Sequence, residues 1–289
     1  MIYTDSDTSR SYTYAQVRNT AIDFGTGLKA QWDWKKGDVL AFYTPNCIDT
    51  PAITWGTHWA GGIVSPANPG YTPDELAFQL KDAGAKALVT QRPFLKAARE
   101  AAKKVGLPED RIILMGDEKD ESGKFKHFLS IRNISGATRY RRTKADPKKD
   151  LAFLVYSSGT TGHPKGVMLS HENIVSNVLM LKVGEAGNLK WNGGKDGSGD
   201  KLLAFLPFFH IYVNFPLSSL SIPEQRTDRG TGSYVLNPPK HIHRPPAGGY
   251  GQVRPRVILQ AHPTLRRNFR LCGSSRRSLI GEVSYCRQI

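Results

Sequence analysis

The chain has 289 residues, of which 39% are hydrophobic and 22% charged, with a formal net charge of +15 at pH 7. That length accommodates one large or two ordinary domains with a sizeable core, and the composition reads as soluble and globular. Three cysteines, Cys47, Cys272 and Cys286, with no C-x-x-C pair, argue against a disulfide framework or a zinc site and for a reducing, cytoplasmic setting.

The N-terminus, Met1 to Asp7, is polar and acidic and shows no secretory h-region. Thr13 can cap a helix with Tyr14, Val17, Ala21, Phe24 and Leu28 on one face. Val39-Leu40-Ala41-Phe42-Tyr43 reads as a strand in a sheet covered on both faces, ending at Pro45-Asn46. Ile48 to Gly61 is a weaker helix candidate, followed by a short strand at Ile63-Val64-Ser65-Pro66. The stretch Ile48 to Ala67 is the most apolar in the chain, but Asp49, Thr54 and His58 interrupt it, so it predicts no membrane span. Thr72-Pro73-Asp74-Glu75 is a strong helix start: a cap, a proline in the first turn, and two acids facing the positive end of the dipole. That helix should end near Gly84. A strand at Lys86–Thr90, a helix at Phe94–Val105 and a strand at Arg111–Met115 then follow. This alternation predicts an α/β fold built on a parallel, doubly wound sheet flanked by helices. The basic stretch Arg139 to Lys144 reads as a solvated loop rather than a phosphate or RNA contact. Gly187 to Asp200, with five glycines, reads as a surface loop.

Residues 214–289 have a different texture. Eight of the chain's 18 prolines fall there, with eleven Arg and one Lys against two Glu and one Asp, a surplus of +9. No apolar period is sustained beyond short runs such as Val257-Ile258-Leu259. The expected organisation is therefore an α/β unit over 1–213 and an irregular, basic, disordered tail over 214–289. The tail's charges are not interleaved with aromatic stacking platforms, which disfavours nucleic acid as a partner.

The segment Leu151 to His171 carries chemistry. An apolar strand, Leu151–Tyr156, enters a loop of small and hydroxyl-bearing residues, Ser157-Ser158-Gly159-Thr160-Thr161-Gly162-His163-Pro164, closed by Lys165. Glycines let backbone N–H groups approach an anion, Ser and Thr add donors, and Lys165 adds a full charge, as a triphosphate requires. Pro164 stands where a Walker loop needs glycine, and no G-x-S-x-G nucleophile elbow is present. Without the rest of the pattern, such a loop would read as a flexible turn between a strand and a helix.

Tyr156 to His171 resembles the signature of the adenylate-forming superfamily of acyl-CoA synthetases, luciferases and peptide-synthetase adenylation domains. Asn68-Pro69-Gly70-Tyr71-Thr72-Pro73-Asp74-Glu75-Leu76 resembles that family's N-P-x-Y-T-x-x-E-L stretch. Leu206-Pro207-Phe208-Phe209-His210-Ile211-Tyr212 resembles its L-P-x-x-H-x-Y stretch. Together the segments are most similar to the 4-coumarate–CoA ligase branch, over roughly Tyr3 to Val213. The resemblance implies the N-terminal part of the adenylate-forming fold. It also implies attack of a small-molecule carboxylic acid on the α-phosphate of ATP, then displacement of AMP by a thiol, usually CoA, with Mg²⁺ and fixed donors stabilising phosphate charge. Ser157, Ser158, Gly159, Thr160, Thr161, Gly162 and Lys165 would hold the ATP phosphates. His210, the catalytic candidate, would sit between phosphate and acyl sites, and Tyr212 would line the acyl pocket. No metal ligands are assigned.

Past Tyr212 the resemblance stops. Val213 stands where the family has glycine, and the segments Y-G-x-T-E and T-G-D and the C-terminal catalytic lysine have no counterpart. The expectation is a reading frame lost by frameshift, mis-assigned intron or gene decay, and a chain without full ligase activity. Two other readings stay open: an adenylation domain that loads a carrier protein, and a non-catalytic nucleotide-binding remnant. Arg287-Gln288-Ile289 is not a peroxisomal address, though relatives of that compartment exist. The oligomeric state and the acyl substrate are left open.

Overall fold

Two five-residue runs form the centre of the molecule: β3 (Val39–Tyr43) and β4 (Ile63–Ala67), in which every residue is buried and Ser65 alone carries a polar side chain without an aromatic ring. The structure, a computed structural model, describes residues 3–131, 140–157, 164–185, 201–204, 206–211 and 257–260. Around the two central strands lie β5 (Ala85–Thr90), β6 (Ile112–Leu114), β7 (Lys126–His127), β8 (Leu151–Ser157) and β9 (Lys165–Ser170). They form one sheet in the order β7-β6-β5-β3-β4-β8-β9. All neighbours are parallel except β8 and β9, which are antiparallel. A smaller antiparallel sheet, β10-β11-β1-β2, joins β1 (Tyr3–Asp5) and β2 (Ser11–Tyr12) to β10 (Lys201–Ala204) and β11 (Val257–Gln260).

Among the described residues five α-helices cover the large sheet: α1 (Tyr14–Trp32), α2 (Thr50–Trp59), α3 (Pro73–Asp82), α4 (Leu95–Lys104) and α5 (His171–Glu185). Local chemistry sets where three of them begin. Thr13 and Gln16 exchange side-chain and backbone hydrogen bonds in a capping box at α1, and Thr72 and Glu75 do the same at α3. Ser170 and Asn173 exchange such bonds at the start of α5. Strand alternation then sorts the core. Leu40, Phe42, Val64, Phe153 and Val155 pack against Phe24 and Leu28 of α1, Ile53 of α2 and Ile174 of α5. Ala41, Tyr43, Leu88, Ile112 and Leu114 pack against Leu76 and Leu80 of α3 and Ala98, Ala101 and Ala102 of α4. The result is a three-layer α/β/α arrangement, as the alternating elements predict.

Pro66 lies inside a central strand, where a missing N–H costs a ladder bond. Its carbonyl is instead met by the Gln79 side chain of α3 at 3.2 Å, and β4 pairs with β8 only at Val64↔Phe153.

The structure departs from the sequence reading in three places. The strand β9 had no counterpart in the sequence reading, and it pairs antiparallel with β8 on the far side of the segment that follows Ser157. The strands β1, β2 and β7 were not anticipated. Val257–Gln260, within the stretch read as irregular, is a strand paired on both sides, with β1 and with β10. Arg141, Arg142 and Lys144 are exposed, as expected of a loop, while Thr143 donates to the Ala60 carbonyl at 2.8 Å and accepts from Lys29. Gly187–Asp200 lies outside the described residues.

Candidate functional site

The connections out of β3 and β4 diverge. The β3–β4 connection runs through α2 on one face, and the β4–β5 connection runs through α3 on the other. Such a switch point opens a crevice at the carboxyl ends of the strands, where open α/β sheets bind ligands. In this chain the crevice lies beside Thr44-Pro45-Asn46, and β8, parallel to β4, delivers Ser157 to the same edge.

At that edge β8 and β9 close a hairpin. Ser157 stands opposite Lys165, Tyr156 opposite Gly166, and Val155 opposite Val167. Opposed residues share a face, so the serine hydroxyl and the lysine ammonium flank the two ends of one loop. Gly166 lets the Tyr156 ring lie across the hairpin: a Cβ there would sit 3.2 Å from the Tyr156 Cζ. Tyr156 donates its hydroxyl to Asp82 at 2.5 Å. Burial first, and then the Asp82 carboxylate, push the Tyr156 phenol above its ordinary pKa. Asp82 occupies the last turn of α3, where an acid opposes the helix dipole, and this bond compensates it.

The segment carrying His210 lies over the switch point. Phe208 is buried, and together with Phe209 it lines a small pocket with Phe42, Thr44, Val64 and Pro66. Thr50, also in the lining, has a buried hydroxyl with no partner among the described residues. His210 is exposed, and its N–H donates to the Pro207 carbonyl at 3.1 Å. Three side-chain hydrogen bonds from Asn46 hold this segment to the turn after β3.

Below that turn lies a charged network. Asp49 is fully buried. It accepts from Arg10 at 2.6 and 3.3 Å, from the Tyr12 hydroxyl at 2.7 Å and from the Gly116 N–H at 3.0 Å. Burial works against the charge on Arg10, but its bonds to Asp49 win and hold its pKa above the ordinary value. Burial also pushes the Cys47 thiol upward, so this cysteine is an inert core residue.

Of the residues expected to form the site, Ser157 and Lys165 are brought together across the hairpin, and His210 is carried on the same edge of the sheet. Ser158, Gly159, Thr160, Thr161, Gly162 and Tyr212 lie outside the described residues. Asn46, Asp49, Tyr156 and Gly166 had no assigned role in the sequence reading. Their partners are distant in sequence, so only Pro45-Asn46 at a strand end gave any local signal.

Sheet order and switch point define a doubly wound α/β domain. Residues 1–219 match the family model described as AMP-binding enzyme, and the chain belongs to that family. A 4-coumarate–CoA ligase of Pinus taeda is 35% identical over 208 residues, covering 72% of this chain and 36% of the relative. A long-chain-fatty-acid–CoA ligase of Bacillus subtilis is 31% identical over 223 residues, covering 70% and 38%. Among solved structures, ATP-bound MatB from Rhodopseudomonas palustris superposes with a TM-score of 0.57 at 27% identity, covering 74% of this chain and 39% of that one. A red-emitting luciferase of Phrixothrix hirtus, at 22% identity and a TM-score of 0.62 over 75% and 40%, shares the fold. The chain thus spans little more than a third of the length of the curated relatives it matches.

Proposed function

We propose that this chain carries the nucleotide site of an ATP-dependent acid–thiol ligase that joins an aryl or fatty carboxylic acid to CoA through an acyl-adenylate. The observation that carries the reading is the β8–β9 hairpin. It sets Lys165 opposite Ser157 at the mouth of a Gly/Ser/Thr loop, on the sheet edge that also bears the His210 segment. The names of the curated relatives support the same reaction class.

In this proposal Ser157, Ser158, Gly159, Thr160, Thr161, Gly162 and Lys165 hold the β- and γ-phosphates. The acid's carboxylate oxygen attacks the α-phosphorus, the bond to pyrophosphate breaks, and a mixed anhydride with AMP results. The CoA thiol then attacks the acyl carbon and AMP leaves. Fixed donors act on the charge that develops on phosphate oxygens, the place where preorganised electrostatics contributes most. His210 lies between the phosphates and the acyl group, and Tyr212 lines the acyl pocket. Among the described residues no three His, Cys, Asp or Glu side chains converge as metal ligands. Mg²⁺ enters the proposal with the triphosphate. Residues 1–213 carry the nucleotide site in this proposal, and the basic stretch 214–289 contributes β11 to the smaller sheet. We assign the protein to the cytoplasm on its cysteine usage. Among the described residues no helix is long and apolar enough to cross a membrane.

The test is ATP–pyrophosphate exchange on the purified chain across a panel of aromatic and fatty acids. Exchange that depends on one acid and falls about 10²- to 10³-fold in Lys165→Ala, the usual cost of removing one fixed donor from developing charge, would show that this chain adenylates by itself and overturn the expected loss of full activity. A folded chain with no exchange would overturn adenylation by this chain.

A further inference from the structure

We propose that Asn46 is the positioning residue for His210, a role that rests on the nucleotide reading of the site. A carboxamide offers two N–H donors and an acceptor oxygen, and Asn46 directs both kinds of group at one segment. Its Nδ2 donates to the carbonyls of Ala204 at 3.2 Å and Leu206 at 2.8 Å, and its Oδ1 accepts from the Phe208 N–H at 2.7 Å. The partners are 158 to 162 residues away and fall on every second residue, so the side chain takes the place of a neighbouring strand. The three bonds also fix the amide's orientation, because only this placement of O and N satisfies two carbonyls and one N–H.

Asn46 is itself anchored. It follows β3 directly through Pro45, and three residues later Asp49 locks the turn to Arg10, Tyr12 and Gly116. Phe208 is driven into the crevice beside Phe42 and Pro66, and Ile211 packs on the core beyond it. His210 is thus carried between two fixed points, with Asn46 setting the backbone on the upstream side. Aspartate at position 46 could still accept from Phe208 but would set a carboxylate against two carbonyl oxygens. Alanine would remove all three bonds.

The test uses the full chain with assigned backbone amides and histidine ring protons, and Mn²⁺·ATP as probe. In Asn46→Ala, exchange protection of the Phe208 and His210 amides should fall by about fivefold to tenfold, as expected for one net hydrogen bond. The amides of Ala41 and Val64 in the central strands should keep theirs. Mn²⁺·ATP should bind Asn46→Ala with affinity close to that of the unaltered chain, because Lys165 and its loop are intact. The paramagnetic broadening of the His210 ring protons should nevertheless weaken. Asn46→Asp removes the donors and keeps the acceptor, and it serves if Asn46→Ala does not fold. It should weaken the His210 broadening while retaining part of the Phe208 protection. Unchanged protection at Phe208 and His210 would overturn the clamp. Lost protection with undiminished His210 broadening would overturn positioning. Absence of broadening in the unaltered chain would count against the nucleotide reading and with it the positioning role, and the exchange data would then decide the clamp alone.

Discussion

A carboxylate without solvent exposure has to be matched bond for bond, and Asp49 meets that demand through residues 39, 37 and 67 positions away in the chain. In the sequence it looks only like an interruption of an apolar stretch. No local pattern announces Arg10, Tyr12 or Gly116 as its partners. The same holds for Asn46 and for Asp82 with Tyr156. The loop residues around Lys165 could be singled out in the sequence because their chemistry is contiguous, whereas the residues that hold the edge could not, because theirs is assembled by topology. Removing Arg10 would strand the buried charge on Asp49. Arg10→Met should therefore destabilise the fold by about 3 kcal/mol, the usual cost of breaking a buried ion pair. In an Asp49→Asn background the same change should cost at least ~1 kcal/mol less, since no charge remains to be stranded. A double-mutant cycle by urea unfolding measures that coupling. Additive losses would show that Arg10 acts through packing alone.

Elements whose start is written locally were read from the sequence with little error: α1 and α3 begin at Thr13 and Thr72 because each cap bonds its own third residue. Strands β1, β2 and β7 have three, two and two residues, too short for any period to show. Helix α5 was missed for another reason. Ile174 and Val178 are buried, yet Val175, Met180, Leu181 and Val183 are exposed, so apolar residues surround the helix and no amphipathic stripe emerges. The crossing of α1 and α2 depends on two glycines that local patterns also leave unexplained. A Cβ on Gly25 would fall 2.5 Å from the Gly56 carbonyl oxygen and 2.8 Å from Trp59, and one on Gly56 would fall 2.7 Å from the Ala21 carbonyl oxygen. Alanine at position 25 gains about 1 kcal/mol of helix propensity. Against that, the clash is with backbone, which cannot rotate away, and overpacking of this kind costs about 1–3 kcal/mol. We expect Gly25→Ala to lower stability, and Gly25→Val to lower it further by forcing the helices apart. A higher unfolding midpoint in Gly25→Ala would mean that the crossing can open freely.

At the scale of the whole molecule, the parallel sheet and its switch point were predictable from the alternation of elements, while the antiparallel hairpin at the site was not: Lys165–Ser170 carries no turn signal except the loop itself. The fold also has a consequence for its stability as a function of pH. His58 is partly buried, with the rings of Trp55, Phe153 and His171 around it at centroid distances of 5.8, 5.1 and 5.3 Å. Burial, reinforced by the neighbouring His171, lowers its pKa to about 3, against a weaker opposing effect of its contact with the Gly62 carbonyl. His171 is lowered as well, by burial first, with Asp150 opposing and Lys36 assisting. Both imidazoles are therefore neutral in the folded chain at pH values where the unfolded chain binds protons. The sign follows: stability is fully present above the unfolded histidine value of about 6.5 and declines as pH falls below it, by up to about 1.4 kcal/mol per pH unit for each fully mismatched proton. For His58 the decline continues down to about pH 3. His58→Phe keeps an aromatic ring against Phe153 and removes one titration. Its urea midpoint should start lower at pH 7.5, for want of the Gly62 contact, yet fall less steeply between pH 6.5 and 5 than that of the unaltered chain. Parallel slopes for the two proteins would show that His58 is not the group through which acid weakens the fold.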